Sequence, residues 1–220
     1  MTQHLIWTAG LFGHLVLIAV LATRGWARRF PCFTLLIVFE VVRTLALTSV
    51  LGHLSPPALH SASVAIDIAD LLIEFAVLIE LMLTAIWPLG TLRRITWPLM
   101  LLACAALIVT RVASVKHYNA VVIPLLLHFL LGVLFVEWSL ALAMLLRPLT
   151  LHWRRGVAAI TFGFGLYSAT LILAGGYFRV GRDLSDYVFF SYLRIGVYLF
   201  VVLWWIVTLW TKPDPIPSRS

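Results

Sequence analysis

Six of the nine carboxylates in this chain lie inside apolar segments: Glu40, Asp67, Asp70, Glu74, Glu80 and Glu137. Four of them crowd the stretch VAIDIADLLIEFAVLIELML at positions 64–83. An ionisable side chain at the centre of a bilayer costs about 2.5–3.5 kcal/mol on insertion scales, so it faces a bundle interior, finds a partner or stays protonated. On a helix, Asp67 and Glu74 are seven residues apart and share one face two turns deep, with Asp70 beside them. Glu80 points away from that stripe. The chemistry this pattern offers is the handling of cations: Asp67, Asp70 and Glu74 bind, and Glu80 and Glu137 continue the path across the membrane.

Two arginines also fall within apolar segments. Glu40 and Arg43 are three apart and pair along one helix. Arg194 shares a stripe with Ser191 and Tyr198, at a depth close to that of Asp70. Arg194 is therefore expected to meet Asp70 or Glu74. Two arginines do not neutralise six acids, which favours a transporter of protons or of a small cation. A competing reading is that the pairs only fix helix order and register. The protein would then be a non-catalytic membrane subunit or sensor acting with a partner.

Two further constellations carry their own chemistry. Asp67-Ile-Ala-Asp70 and Asp183-Leu-Ser-Asp186 are both D-x-x-D, an oxygen-rich pattern suited to Mg²⁺ or Ca²⁺. His14 and His128 sit at matching depths in their segments, where two facing imidazoles hold a b-type haem or serve a redox or quinone-linked role. No catalytic constellation is complete, so an enzyme is not the expected reading.

The elements that position these groups follow from composition. The chain has 220 residues, 62% hydrophobic and 11% charged, against about 25% charged in soluble domains. A helix needs about 20 apolar residues to cross the hydrocarbon core. Seven stretches qualify, at roughly 5–22, 31–52, 62–86, 95–112, 119–145, 157–176 and 188–210. The expected fold is all-α: one seven-helix transmembrane domain over 1–210, followed by a disordered cytoplasmic tail at 211–220.

Charge sets the orientation. Ten of the 16 Lys and Arg residues fall after spans 1, 3 and 5 or in the tail, among them Arg24, Arg28, Arg29, Arg93, Arg94, Arg154 and Arg155. Four lie on the other side: Arg111, Lys116, Arg179 and Arg182. The richer side is cytoplasmic, which puts the N-terminus outside and the C-terminus inside a bacterial inner membrane. Trp26, Trp87, Trp97 and Trp153 are expected to mark the inner interface. The net charge of +7 sits at helix ends and does not point to nucleic acid. Cys32 and Cys104 lie in different spans, with no metal-thiolate pattern. Thr161, Gly165, Ser168 and Gly175 or Gly176 form a small-residue face on span 6, which packs within the bundle or against another copy or membrane protein.

The run Asp67-x-x-Asp70-x-x-x-Glu74 resembles the first aspartate motif of membrane prenyltransferases of the ubiquinone-biosynthesis type. That resemblance implies Mg²⁺-bound diphosphate. Here Ile66 stands where that motif has Asn, the third acid is Glu rather than Asp, and the motif falls on the outer side. The absence of a lysine in span 7 separates the chain from microbial rhodopsins, and the absence of a Pro-Gln pair separates it from PQ-loop sugar transporters. With FEVVRTLAL in span 2 and LWWIVTLW closing span 7, the chain is similar to small seven-helix bacterial membrane proteins. That similarity implies a layout and no activity.

Overall fold

The computed structural model describes residues 2–49, 55–86, 122–146, 155–180 and 184–211. The described residues are all-helical, in seven helices. They are α1 (Thr2–Arg24), α2 (Trp26–Arg29), α3 (Pro31–Ser49), α4 (Pro56–Ile86), α5 (Val122–Leu146), α6 (Arg155–Val180) and α7 (Leu184–Leu209). Six of the seven apolar stretches coincide with the long helices; the stretch at 95–112 and most of the tail lie outside the described residues.

Local chemistry sets several boundaries. Gly25 has φ 84°, the left-handed conformation that glycine adopts without strain. It breaks α1 from the single turn of α2, which composition had not marked. Pro31 and Pro56 open α3 and α4, where a missing N–H costs nothing.

By length and apolarity, two described helical segments are able to cross a membrane: Gly156–Ala174, with mean hydropathy 1.8, and Val188–Leu209, with mean hydropathy 1.9. The apolar parts of α1 and α5, Thr8–Arg24 and Leu127–Ala143, are shorter. Ionisable side chains interrupt α3 and α4.

The six long helices form a closed ring. In order around it, α1 packs on α3, α3 on α4, α4 on α5, α5 on α6, α6 on α7, and α7 returns to α1. The small-residue face of α6 is used inside this ring. A Cβ on Gly165 would collide with the Ser139 side chain of α5, and one on Gly132 of α5 would touch Ser168. The Ser139 hydroxyl donates across this contact to the Thr161 carbonyl at 2.9 Å.

One end of the ring is filled by buried aromatic side chains. Phe33, Phe164 and Trp205, from α3, α6 and α7, are buried and in mutual ring contact, and the buried Phe135 of α5 stacks on Phe164, with centroids 4.5–6.1 Å apart. The Trp205 indole N–H donates to the Ala159 carbonyl at 3.1 Å. Beyond this plug, Trp26 stacks on Phe30 and donates to the carbonyls of Leu209 and Thr211, each at 2.8 Å. Trp26 is 3% exposed, so it is a buried latch between α2 and the end of α7 rather than the interfacial anchor its position suggested. Its indole has replaced an interface with the carbonyl of Leu209, which ends α7, and that of Thr211 just beyond it.

Candidate functional site

Above the aromatic plug the ring encloses a cavity of about 750 Å³. Its walls are made by residues at helical spacing. α7 contributes Arg194, Tyr198, Val201 and Trp205, a stripe at i, i+4, i+7 and i+11. α4 contributes Asp67, Asp70 and Glu74, α3 contributes Glu40 and Arg43, and α6 contributes Phe164, Tyr167 and Leu171. His14 of α1 and His128 of α5 complete the circumference. At 1.5 Å per residue, the stripe from Arg194 to Trp205 runs about 16 Å.

The cavity is graded from wet to dry. His60, Asp67 and Arg194 are exposed and mark the mouth. Asp70 and His14, at 7% and 3% exposure, sit within the walls. Phe164, Val201 and Trp205 are buried and make the floor. The Trp205 N–H is engaged by Ala159, so the floor presents mainly apolar and π surface.

The polar groups are organised around one guanidinium nitrogen. Arg43 Nη1 donates to Glu40 Oε1 at 3.0 Å and to Asp70 Oδ2 at 2.8 Å. The Nε2 of His128 lies 3.9 Å from the same Asp70 oxygen. A charge-assisted contact shared by two carboxylates is strong in a partly buried site. On the far wall, Tyr198 Oη and His14 Nε2 share a hydrogen bond of 2.6 Å, with their rings edge to face. Tyr167 packs at a tilt against Tyr198.

Several sequence expectations are relocated. The Glu40–Arg43 pair forms as expected, but Asp70 is met by Arg43 and not by Arg194. Among the described residues Arg194 makes no ion pair with Asp70 or Glu74. Hairpin neighbours α3 and α4 pack directly, which places Arg43 opposite Asp70. Glu80 and Glu137 do not line the cavity. The Glu80 carboxylate instead accepts the backbone N–H groups of Cys32 and Phe33, each at 3.0 Å. It caps α3, whose first turn holds no acid of its own. Glu137 is exposed on the outer surface of α5.

The metal and haem expectations fare differently. Asp67 and Asp70 lie on the cavity wall, Asp186 falls in the first turn of α7, and Asp183 lies outside the described residues. Among the described residues no three His, Cys, Asp or Glu side chains are grouped to hold a metal ion. His14 and His128 do reach the same cavity. The Nε2 of His14 is already engaged by Tyr198, so axial ligation through that atom requires the bond to break.

His60 at the mouth and Phe164, Tyr167 and Leu171 on the wall join the cavity without being among the sequence-predicted site residues. Spacings of three and four on α6 carried that signal, in the same helix as the small-residue row. Compared with known proteins, the chain matches no family model, no curated protein and no solved structure.

Proposed function

We propose that this chain is a multi-pass membrane protein that admits a cation to its interior cavity from the outer side, as a transport protein. The observation that carries this reading is an inversion of soluble-protein order. Ionisable groups face inward, while Phe12, Leu72, Leu173, Leu203 and Val207 are each at least 59% exposed on the outside of the ring. A girdle of this kind suits hydrocarbon, and intramembrane acids mark ion and substrate paths. The six described long helices and the apolar stretch at 95–112 together make the seven-span layout.

Charge supports the direction. Arg24, Arg28, Arg29 and Arg155 gather at the plugged end, which suits the cytoplasmic face. The mouth then faces outward. Four carboxylates and two guanidiniums line the cavity, a surplus of acid that raises the local cation concentration. The aromatic plug closes the inner end, as in a transporter held in its outward-facing state. Glu74 is the deepest of the α4 acids on the wall and stands as the binding carboxylate, with Arg43 setting the charge of Asp70 and Glu40.

The test is flux in proteoliposomes containing the purified chain, with protons, Na⁺ and K⁺ as the driving or transported ions. Uptake that is lost in Glu74→Ala supports the reading. Equal uptake in wild type and Glu74→Ala contradicts it.

A further inference from the structure

We infer that the ligand of this cavity is an amphiphilic organic cation, an ammonium-type head carrying an apolar or aromatic body, rather than a bare ion. The inference rests on the transport reading and names its substrate class. The first observation is size. About 750 Å³ lies within the range of about 300–1,000 Å³ that pockets for small organic molecules occupy. A metal ion needs only a few converging ligands, and no group of three acidic or metal-binding side chains exists among the described residues.

The second observation is an unmet polar demand inside the walls. His14 Nδ1 and Asp70 Oδ1 are both buried and lack a hydrogen-bond partner among the described residues. Both residues line the cavity, at 3% and 7% exposure. Each sits beside an engaged atom of the same side chain: His14 Nε2 holds Tyr198, and Asp70 Oδ2 holds Arg43. A buried polar atom left without a partner is costly; both atoms are closed off from the cavity surface, so a ligand in the cavity acts on them through its charge rather than by a direct hydrogen bond. A positive charge in the adjacent cavity, as an ammonium head provides, favours the Asp70 carboxylate behind the wall.

The third observation is the wet-to-dry gradient. The acids Asp67, Asp70 and Glu74 occupy the upper wall, and Phe164 and Trp205 the floor; on α7 the wall runs about 16 Å from Arg194 at the mouth to Trp205. A head held at the acids places its body on the aromatic floor, where the indole and phenyl faces offer apolar area and π attraction to any charge that follows. A hydrated inorganic ion gains nothing from that floor.

The experiment is equilibrium dialysis of the full chain in a neutral detergent with radiolabelled tetraphenylphosphonium. The uncharged triphenylphosphine oxide serves as its control, and proton and Na⁺ flux are measured on the same preparation. Saturable binding of the cation, at least about tenfold tighter than the neutral analogue and weakened about tenfold or more by Glu74→Gln, is the expected result. Glu137→Gln, on the outer surface, leaves binding unchanged. Asp67→Asn provides a second acid variant should Glu74→Gln fail to fold by size-exclusion profile. Equal binding of the two probes, or cation binding indifferent to both acid variants, overturns the inference. No cation binding alongside Glu74-dependent proton or Na⁺ flux overturns it too, and leaves the transport reading standing. Absence of both binding and flux removes the two together.

Discussion

Arg43 of α3 reaches Asp70 of α4 at 2.8 Å while holding Glu40 of its own helix at 3.0 Å through the same nitrogen. One guanidinium thereby ties two helices and sets the charge of the upper cavity wall. The Asp70 side chain is 10% exposed and that of Arg43 32%, so the contact is only partly screened. Removing one partner of a buried pair costs about 3–5 kcal/mol, and the exposure of Arg43 brings the expected loss for Arg43→Gln to about 2 kcal/mol. Thermal unfolding in detergent checks this. In the double variant Arg43→Gln/Asp70→Asn part of the loss should return, because Glu40 is then the one carboxylate at that guanidinium left without its partner.

The Glu80 carboxylate predicts a separable effect. It caps α3 through two backbone N–H groups and lies outside the cavity. Glu80→Ala should lower stability by about 1 kcal/mol, the usual loss for a helix cap. Cation binding by the variant that folds should match wild type. A change in affinity without a change in unfolding temperature would contradict the assignment.

The latch at the plugged end is testable through one atom. Trp26→Phe keeps most of the ring but deletes the N–H that serves the Leu209 and Thr211 carbonyls. Leaving those carbonyls unpaired costs about 1–3 kcal/mol. Limited proteolysis should then cut the C-terminal end of α7 faster than in wild type.

Close approach of α6 and α7 rests on Gly163, where an added Cβ would run into the indole of Trp205. The indole is wedged among Phe33 and Phe164 and hydrogen-bonded to Ala159, so it has little room to yield. Gly163→Ala should destabilise by about 1–3 kcal/mol, as overpacking does. Thermal unfolding of that variant beside wild type is the check, and an unchanged midpoint would show that the plug is loosely packed.

Much of this arrangement is legible in spacing along single helices. Asp67, Asp70 and Glu74 fall on one face of α4, and Arg194 and Tyr198 on one stripe of α7, as the helical period requires. The extension of that stripe to Val201 and Trp205 follows from the same period. Cross-helix partners are harder to read. Depth alone matched Arg194 to Asp70, yet depth leaves open which helices are neighbours. The preference of consecutive elements to pack together would have favoured Arg43, since α3 and α4 follow one another. Glu80 misled for a different reason. An acid in an apolar segment suggests an ion path, and only the position of the α3 N-terminus reveals that two backbone donors await it. The small residues of α6 were equally suited to α5 or to a second copy until the ring order assigned them to α5.

The central claim is a cavity open on one side of the membrane and selective for positive charge. Leu171 lies on its wall and is 38% exposed, so Leu171→Cys, in a background with Cys32→Ser and Cys104→Ser, reports on both properties. The most direct measurement is the rate at which cationic and anionic methanethiosulfonate reagents, of similar size and added from the outside of intact cells, modify that cysteine. The expected result is modification about tenfold faster by the cationic reagent, a preference that falls in Glu74→Gln and in Asp67→Asn. Equal rates for the two reagents, or no modification from outside, would contradict the account.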